Sequence, residues 1–355
     1  MIIGLFDPYL NGPLGGGERY MLSLAECLTQ RGNRVDIFWE KGSIEQQARQ
    51  KLGLDLTQVN FVGNIFSSGN NLLRRWWLTK KYDAIFYLSD GSLPFLFASK
   101  NIIHMQVPLP NVLGKTLLNK IKLRQIKHFV CNSRFTKKTV DRVYGVESLV
   151  LYPPVGIEDF SPGKKENYIL GVGRFTQAQH AKKQHVLVET FKKLCREGLS
   201  DWKLILAGGT LKEDRSYVAK IKKLAKDYPI QIMPDIPFSQ LQQLYAGAKI
   251  FWHAAGYGED EQKHPNRMEH FGIVVVEAMA AGCVPVVIGK GGIPEIISDG
   301  KNGLLWTTTD QLADITLRLI KSPQKLETLS RRAVVDCRRF NRTSFCHKAN
   351  EIISQ

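Results

Sequence analysis

The chain has 355 residues, 43% of them hydrophobic and 23% charged, with a formal net charge of +16. Its length allows two ordinary domains, and its composition is that of a soluble globular protein; no run approaches the roughly eighteen apolar residues of a membrane span. The positive excess favours polyanions, anionic lipid surfaces or phosphorylated ligands without choosing among them. The opening Met1-Ile2-Ile3-Gly4-Leu5-Phe6-Asp7 has no basic leader and reads as a first core strand, not a signal peptide. Six cysteines, at 27, 131, 195, 283, 337 and 346, form no CxxC pair, so they read as reduced residues of a cytosolic protein.

In chain order, strands and helices alternate, which predicts parallel sheets covered on both faces. The first strand ends near Asp7, and a loop of residues 11–17 containing Gly15, Gly16 and Gly17 follows. A helix is predicted over 18–30, with Tyr20, Met21, Leu24, Ala25 and Leu28 on one face. Gly32 ends it, and residues 34–39 form the second strand. The glycine loop permits close backbone approach to an anion, but it is not GxGxxG and does not argue for NAD. Further strands fall at 84–88, 102–105, 129–132 and 149–152. His104 stands at the C-terminal end of its strand, where open α/β sheets present ligand-binding groups.

Charge is distributed unevenly. Between Asp90 and Asp141 there is no carboxylate, while nine basic residues fall in the same interval. In segment 115–127, Leu117, Leu118, Ile121, Leu123 and Ile126 interleave with the cations. Two readings stay open: a helix lying on an anionic membrane, or a surface helix whose stripe packs on the sheet. Arg74-Arg75-Trp76-Trp77 followed by Lys80-Lys81 is a second membrane-surface candidate, since tryptophan beside arginine suits a bilayer interface.

Tyr152-Pro153-Pro154-Val155-Gly156 is a stiff connector, because proline fixes φ and removes a donor. A second alternating series begins with a strand at 168–172, ending in Gly173-Arg174. A short polar loop then leads through Lys182-Lys183-Gln184 into a helix carrying Val186, Leu187, Thr190, Phe191 and Leu194. An arginine at a strand end and a lysine at the next helix start can share one anion. Strands at 204–207, 230–233 and 250–253 follow. The longer loop 254–268, with its acidic Glu259-Asp260-Glu261, reads as a lid or a solvated excursion. His253 and His264 stand near acids, but without metal-ligand spacing.

Residues 269–303 carry the densest pattern: Glu269-His270-Phe271-Gly272-Ile273, then Glu277, Gly282, a continuous apolar strand at 284–288, and Gly289-Lys290-Gly291-Gly292. The predicted helix runs over about 272–281, with Gly282 as its left-handed cap. Its first N–H groups have no partner within the helix, and the dipole adds positive charge there, so a phosphate fits. Glu269 stands ahead of that end, and Glu277 lies within about 12 Å further along. A helix at 312–319 and a last one at 343–353 complete the series.

The segment from Glu269 to Glu295 resembles the donor-binding signature of retaining glycosyltransferases of the GT-B fold, family 4: Glu, seven residues, Glu, with Phe-Gly after the first. Glu269, Phe271, Gly272, Glu277, Ala278, Met279, Gly282, Pro285, Gly291, Gly292, Pro294 and Glu295 match, and the resemblance extends over essentially the whole chain. It implies two doubly wound Rossmann-like parallel-sheet domains facing across a cleft. They would comprise residues 1–152, joined by a returning helix near 341–355, and residues 153–340. It implies transfer of a sugar from a nucleotide diphosphate sugar to an acceptor hydroxyl, with retention and no metal. Arg174, Lys182, Glu269 and His104 would be catalytic; Gly15, Gly16, Phe271, Gly272, Ile273 and Glu277 would bind the donor. The expected partners are that nucleotide sugar and a glycan or lipid-linked acceptor, with an anionic membrane surface as a candidate and no nucleic acid. A cytoplasmic protein, peripheral at the inner membrane face, is expected. A phosphorylase or sugar-nucleotide epimerase on the same fold, or a basic membrane- or polyanion-binding module, are the alternatives.

Overall fold

The computed structural model describes residues 1–10, 15–40, 42–66, 71–177 and 181–355. Loop residues 11–14 and part of the loop between Arg174 and Lys182 (178–180) lie outside the described residues. The chain divides into two compact units: Met1–Pro154 with Arg342–Gln355, and Val155–Asn341.

In the first unit the strands are β1 (Ile2–Phe6), β2 (Arg34–Ile37), β3 (Val59–Phe61), β4 (Ala84–Leu88), β5 (Lys100–Met105), β6 (His128–Cys131) and β7 (Leu149–Val150). They pair in parallel in the order β3-β2-β1-β4-β5-β6-β7. Parallel neighbours need long crossovers, and α1 (Gly16–Thr29), α2 (Ile44–Leu52), α3 (Leu72–Thr79), α4 (Leu117–Leu123) and α5 (Arg134–Tyr144) supply most of them. The order reverses between β1 and β4, so a crevice opens beyond the C-terminal ends of those strands. All five predicted stripe residues of α1 are buried in the core. On the other face Phe38, Phe129, Val140 and Tyr144 form a second core.

Helix α4 splits its apolar residues. Leu123 and the following Ile126 pack against that second core. Leu117, Leu118 and Ile121 are 78%, 53% and 46% exposed, so packing on the sheet does not account for them. Leu73 and Trp77 of α3 are likewise exposed, at 78% and 65%.

The second unit contains β8 (Glu166–Val172), β9 (Lys203–Gly208), β10 (Ile230–Pro234), β11 (Ala248–His253), β12 (Val284–Ile288) and β13 (Leu304–Trp306). Their order is β10-β9-β8-β11-β12-β13, again parallel. All five residues of β12 are buried, as the continuous apolar run requires of a strand covered on both faces. Helices α6 (Gln184–Arg196), α7 (Arg215–Ala225), α8 (Phe238–Gly247), α9 (Ile273–Ala280), α10 (Thr309–Ile320) and α11 (Pro323–Asp336) surround the sheet. Here the order reverses between β8 and β11, which places the ends of those two strands at the crevice.

The last helix, α12 (Arg342–Ser354), belongs to the first unit. Phe345, Ala349, Ile352 and Ile353 are buried there, and the Phe345 ring meets Tyr20 edge-on at 5.0 Å. Arg342 pairs with Glu26 at 3.2 Å, and Lys100 Nζ donates to the carbonyls of Ile353 and Ser354, where the helix needs positive charge. Cys27 of α1 and Cys346 of α12 form a disulfide, with Cα atoms 5.3 Å apart. The reading of all six cysteines as reduced is therefore corrected: α12 brings together two residues 319 positions apart, a proximity that sequence spacing does not reveal. Among the described residues, no helix is long and apolar enough to cross a membrane.

Candidate active site

The switch point of the second sheet assembles the site. Gly173 follows β8, and a Cβ there would sit 2.7 Å from Lys182 Cγ, so glycine lets the lysine stem cross the strand end. Gln184 Nε2 donates to the carbonyls of Gly173 and Arg174 at 3.2 and 3.0 Å, tying that strand end to the first turn of α6. Arg174 itself is exposed and has no acid partner among the described residues.

Lys182 Nζ lies 2.6 Å from Glu269 Oε2. His253, the last residue of β11, meets the same oxygen through Nε2 at 3.0 Å. His253 is 2% exposed and Glu269 14% at its side chain. Burial pushes the Glu269 carboxyl up, but the Lys182 charge and the His253 hydrogen bond outweigh it, and its pKa falls well below the carboxylate norm. Glu269 is thus an anion held by two donors.

Helix α9 starts directly after this carboxylate. Its N-cap Gly272 has φ 114°, a left-handed conformation that suits glycine. A Cβ there would also meet Ile293 Cδ1 at 2.8 Å. Phe271 is buried with its ring edge-on to Phe340 at 5.2 Å, so it can offer a ligand its backbone only. Ile273 is the first residue of α9. Glu277, one turn on, is buried and accepts from Tyr245 Oη at 3.1 Å. The glycine loop packs onto the backbone ahead of α9. Gly292 N donates to Glu269 O at 2.8 Å, and a Cβ at Gly291 or Gly292 would meet a carbonyl at 2.3 Å.

Loop 254–268 is tied down. Glu259 pairs with Lys183 at 2.7 Å and Arg267 at 3.0 Å, and its carbonyl accepts from Lys290 Nζ at 2.7 Å. The hydrogen bond from Lys183 is the main reason its carboxyl pKa is lowered. Lys183 is also the N-cap of α6, at φ 55°. The loop therefore joins the start of α6 to the glycine loop, while Asp260, Gln262, Lys263 and His264 stay exposed. Among the described residues no group of three His, Cys, Asp or Glu side chains is placed to hold a metal ion.

The remaining expected residues lie in the first unit. Gly15 caps α1 and donates its N–H to Glu18 Oε2 at 2.8 Å, so the helix supplies its own anion there; Gly16 is the first helical residue. His104 is fully buried, stacked on Tyr20 at 4.1 Å, and donates Nδ1–H to Val130 O at 3.0 Å. Burial lowers its pKa to about 3, so the ring is neutral, and its Nε2 has no partner among the described residues.

Sequence spacing gives His253 no metal-ligand pattern and no other role. Its position as the last residue of a strand flanking the switch point was the available signal, but the strand order that defines the switch point is not in the sequence.

A family model described as Glycosyl transferases group 1 matches residues 157–334, and one described as Glycosyltransferase Family 4 matches residues 14–158. A Dictyostelium discoideum protein named GDP-Man:Man(3)GlcNAc(2)-PP-Dol alpha-1,2-mannosyltransferase is 27% identical over 221 residues, 58% of this chain and 42% of that protein. The chain thus spans less than half the length of that relative. A D-inositol 3-phosphate glycosyltransferase of Thermobifida fusca is 22% identical over 376 residues, covering 90% of this chain and 83% of its own. Among solved structures, Anabaena HepE with UDP and glucose superposes with a TM-score of 0.73 at 19% identity, covering 100% and 99% of the two chains. A Rickettsia africae glycosyltransferase gives 0.77 at 18%, covering 99% and 97%. These two structures share the GT-B fold with this chain.

Proposed function

The chain belongs to the glycosyl transferases group 1 family, and from that membership and the Lys182–Glu269 pair we infer that it moves a sugar from a nucleotide diphosphate donor to an acceptor hydroxyl, with retention of configuration. The observation that carries this reading is the meeting of Lys182, His253 and Glu269 at the switch point, directly ahead of the α9 N-terminus. In this proposal Arg174, Lys182 and the first turn of α9, at Phe271-Gly272-Ile273, take up the charge of the departing diphosphate. They supply that countercharge without a metal. Glu269 orients the donor sugar and Glu277 binds the ribose hydroxyls. Gly15 and Gly16 bring backbone toward the diphosphate, for which Glu18 must first release the Gly15 amide. His104 would meet the sugar or acceptor through Nε2, a contact that requires its buried surroundings to shift.

The step is a front-side displacement. The bond from the anomeric carbon to the phosphate oxygen breaks, the acceptor oxygen bonds on the same face, and the acceptor proton passes to a donor phosphate oxygen. The relatives' names suggest a lipid-linked or inositol-phosphate acceptor and a GDP-mannose or related donor, while the HepE structure holds UDP. The exposed apolar residues of α4, in the carboxylate-free basic stretch between Asp90 and Asp141, and those of α3 beside Arg74, Arg75, Lys80 and Lys81, support an acceptor presented at an anionic membrane. The protein would then work as a peripheral protein at the cytoplasmic face.

Nucleotide release tests the reading: the purified chain is incubated with UDP- and GDP-sugars and with lipid-linked and inositol-phosphate acceptors. Acceptor-dependent release of UDP or GDP, with the anomeric configuration kept in the product, is expected. No release from any pair, or an inverted product, overturns it.

A further inference from the structure

The inference that follows rests on the donor-site reading above. Glu269 Oε2 accepts from Lys182 Nζ at 2.6 Å and from His253 Nε2 at 3.0 Å. A diphosphate arriving at this site draws the Lys182 ammonium toward its own negative charges. Glu269, anionic and only 14% exposed at its side chain, then loses part of its countercharge, and an uncompensated carboxylate so poorly solvated either costs stability or takes up a proton.

His253 is built to prevent that. The ring is 2% exposed, and Nδ1 has no hydrogen-bond partner among the described residues. A buried unpaired lone pair is tolerated better than a buried unpaired N–H, so the proton sits on Nε2 and is donated to Glu269. Its position is set by β11, which pairs with β8 and β12 on either side, so the ring does not depend on the ligand for its place. Lys182, by contrast, stands in the segment ahead of α6 on a flexible stem. One donor on Glu269 is fixed and the other can turn. Among the described residues, Lys182 and His253 are the charged and titratable groups acting on this carboxyl, and Gly291 and Gly292 pack on the backbone around it.

We propose that His253 is a positioning residue: its Nε2–H keeps Glu269 ionised and in place, so that Lys182 can turn from Glu269 to the donor diphosphate. Structural burial alone would make His253 a fold residue with no bearing on protons exchanged during binding.

Calorimetric titration with UDP and with GDP, at pH 6.5 in two buffers of unlike ionisation enthalpy, reads both affinity and proton exchange. Relative to wild type, H253F is expected to bind about tenfold more weakly and to take up about one proton more. H253Q, whose amide can donate from nearly the same place, is expected to restore both. In H253F/E269Q the extra proton disappears, because the carboxyl that took it is gone. Should H253F not fold, H253N replaces it, since its amide lies at the Nδ1 position and cannot reach Oε2. Affinity within twofold of wild type and unchanged proton exchange in H253F or H253N overturn the His253 role alone. Failure of both nucleotides to bind the wild-type chain overturns the donor site, and this inference with it.

Discussion

Arg174 and Lys182 are unequal cations. Arg174 is exposed and unpaired among the described residues, whereas Lys182 is held by Glu269 at 2.6 Å. Both are proposed to face the same departing charge, so R174A and K182A should each lower turnover by about 10²–10³, read as nucleotide release at saturating donor. Full turnover in either variant would remove it from the mechanism. Two buried groups of the first unit make a separate prediction about pH. Burial lowers the His104 pKa from 6.5 to about 3, so stability from this residue is complete above pH 6.5 and declines as pH falls toward 3. Burial raises the Asp7 carboxyl from 3.8 to about 7, so its contribution is complete below 3.8 and declines as pH rises toward 7. Each slope is about 1.4 kcal/mol per pH unit, and across pH 4–6.5 they oppose one another. Urea midpoints should therefore rise with pH in D7N, fall with pH in H104F, and stay nearly level in the native chain. Parallel profiles for all three would contradict the buried ionisation states.

At the scale of elements, α4 shows how one helix divides its apolar residues between two surroundings. Leu123 and the nearby Ile126 anchor it to the second core of the first unit, and Lys122 donates to Leu93 O at 2.5 Å. Leu117, Leu118 and Ile121 remain exposed. Exposed leucines and tryptophans beside cations gain by entering the interfacial layer of an anionic bilayer, at about 1 kcal/mol per basic residue near the surface. Vesicles containing phosphatidylglycerol should pellet the wild-type chain at low salt, and high salt should weaken this. L117E/L118E and W76E/W77E should each reduce pelleting severalfold while leaving nucleotide release with a soluble acceptor unchanged. Indifference of the wild-type chain to anionic lipid would remove the membrane proposal. Loop 254–268 is the other informative element. Its acidic run left a lid and a solvated excursion both open in sequence; in the structure Glu259 joins Lys183, Arg267 and, through its carbonyl, Lys290, while Asp260 is exposed. E259A should make the loop cleavable by limited proteolysis and weaken nucleotide binding, because the start of α6 and the glycine loop lose their common tether. A protease-resistant E259A with native affinity would make these ion pairs incidental surface contacts.

For the molecule as a whole, the notable connection is the return of α12 to the first unit. Phe345, Ala349, Ile352 and Ile353 are buried there, and Cys346 bonds to Cys27. A chain ending at Asn341 should leave the first unit with an open apolar face. It should melt at lower temperature or aggregate, while the second unit retains its own transition. A single unchanged transition would show that α12 adds little to the core. In denaturant, the unreduced protein should titrate four thiols, those of Cys131, Cys195, Cys283 and Cys337. Six thiols in unreduced protein would instead restore the reduced state expected from the sequence.

The alternation of strand and helix, the apolar run of β12 and the stripe of α1 were legible because periodicity and burial are local properties of a chain. So was the start of α9, where Gly272 occupies a left-handed backbone position. Lys182 and Glu269 could be picked out by residue type, but their distance could not. Neither could the place of His253 on the same carboxylate oxygen, the bond between Cys27 and Cys346, or the outward face of α4. Those depend on which strands become neighbours and which helix returns to which sheet. Contacts 87 and 319 residues apart arise from that packing, and no stretch of sequence contains both partners; residue chemistry was written along the chain, whereas the meeting of donors on one oxygen was decided by tertiary structure.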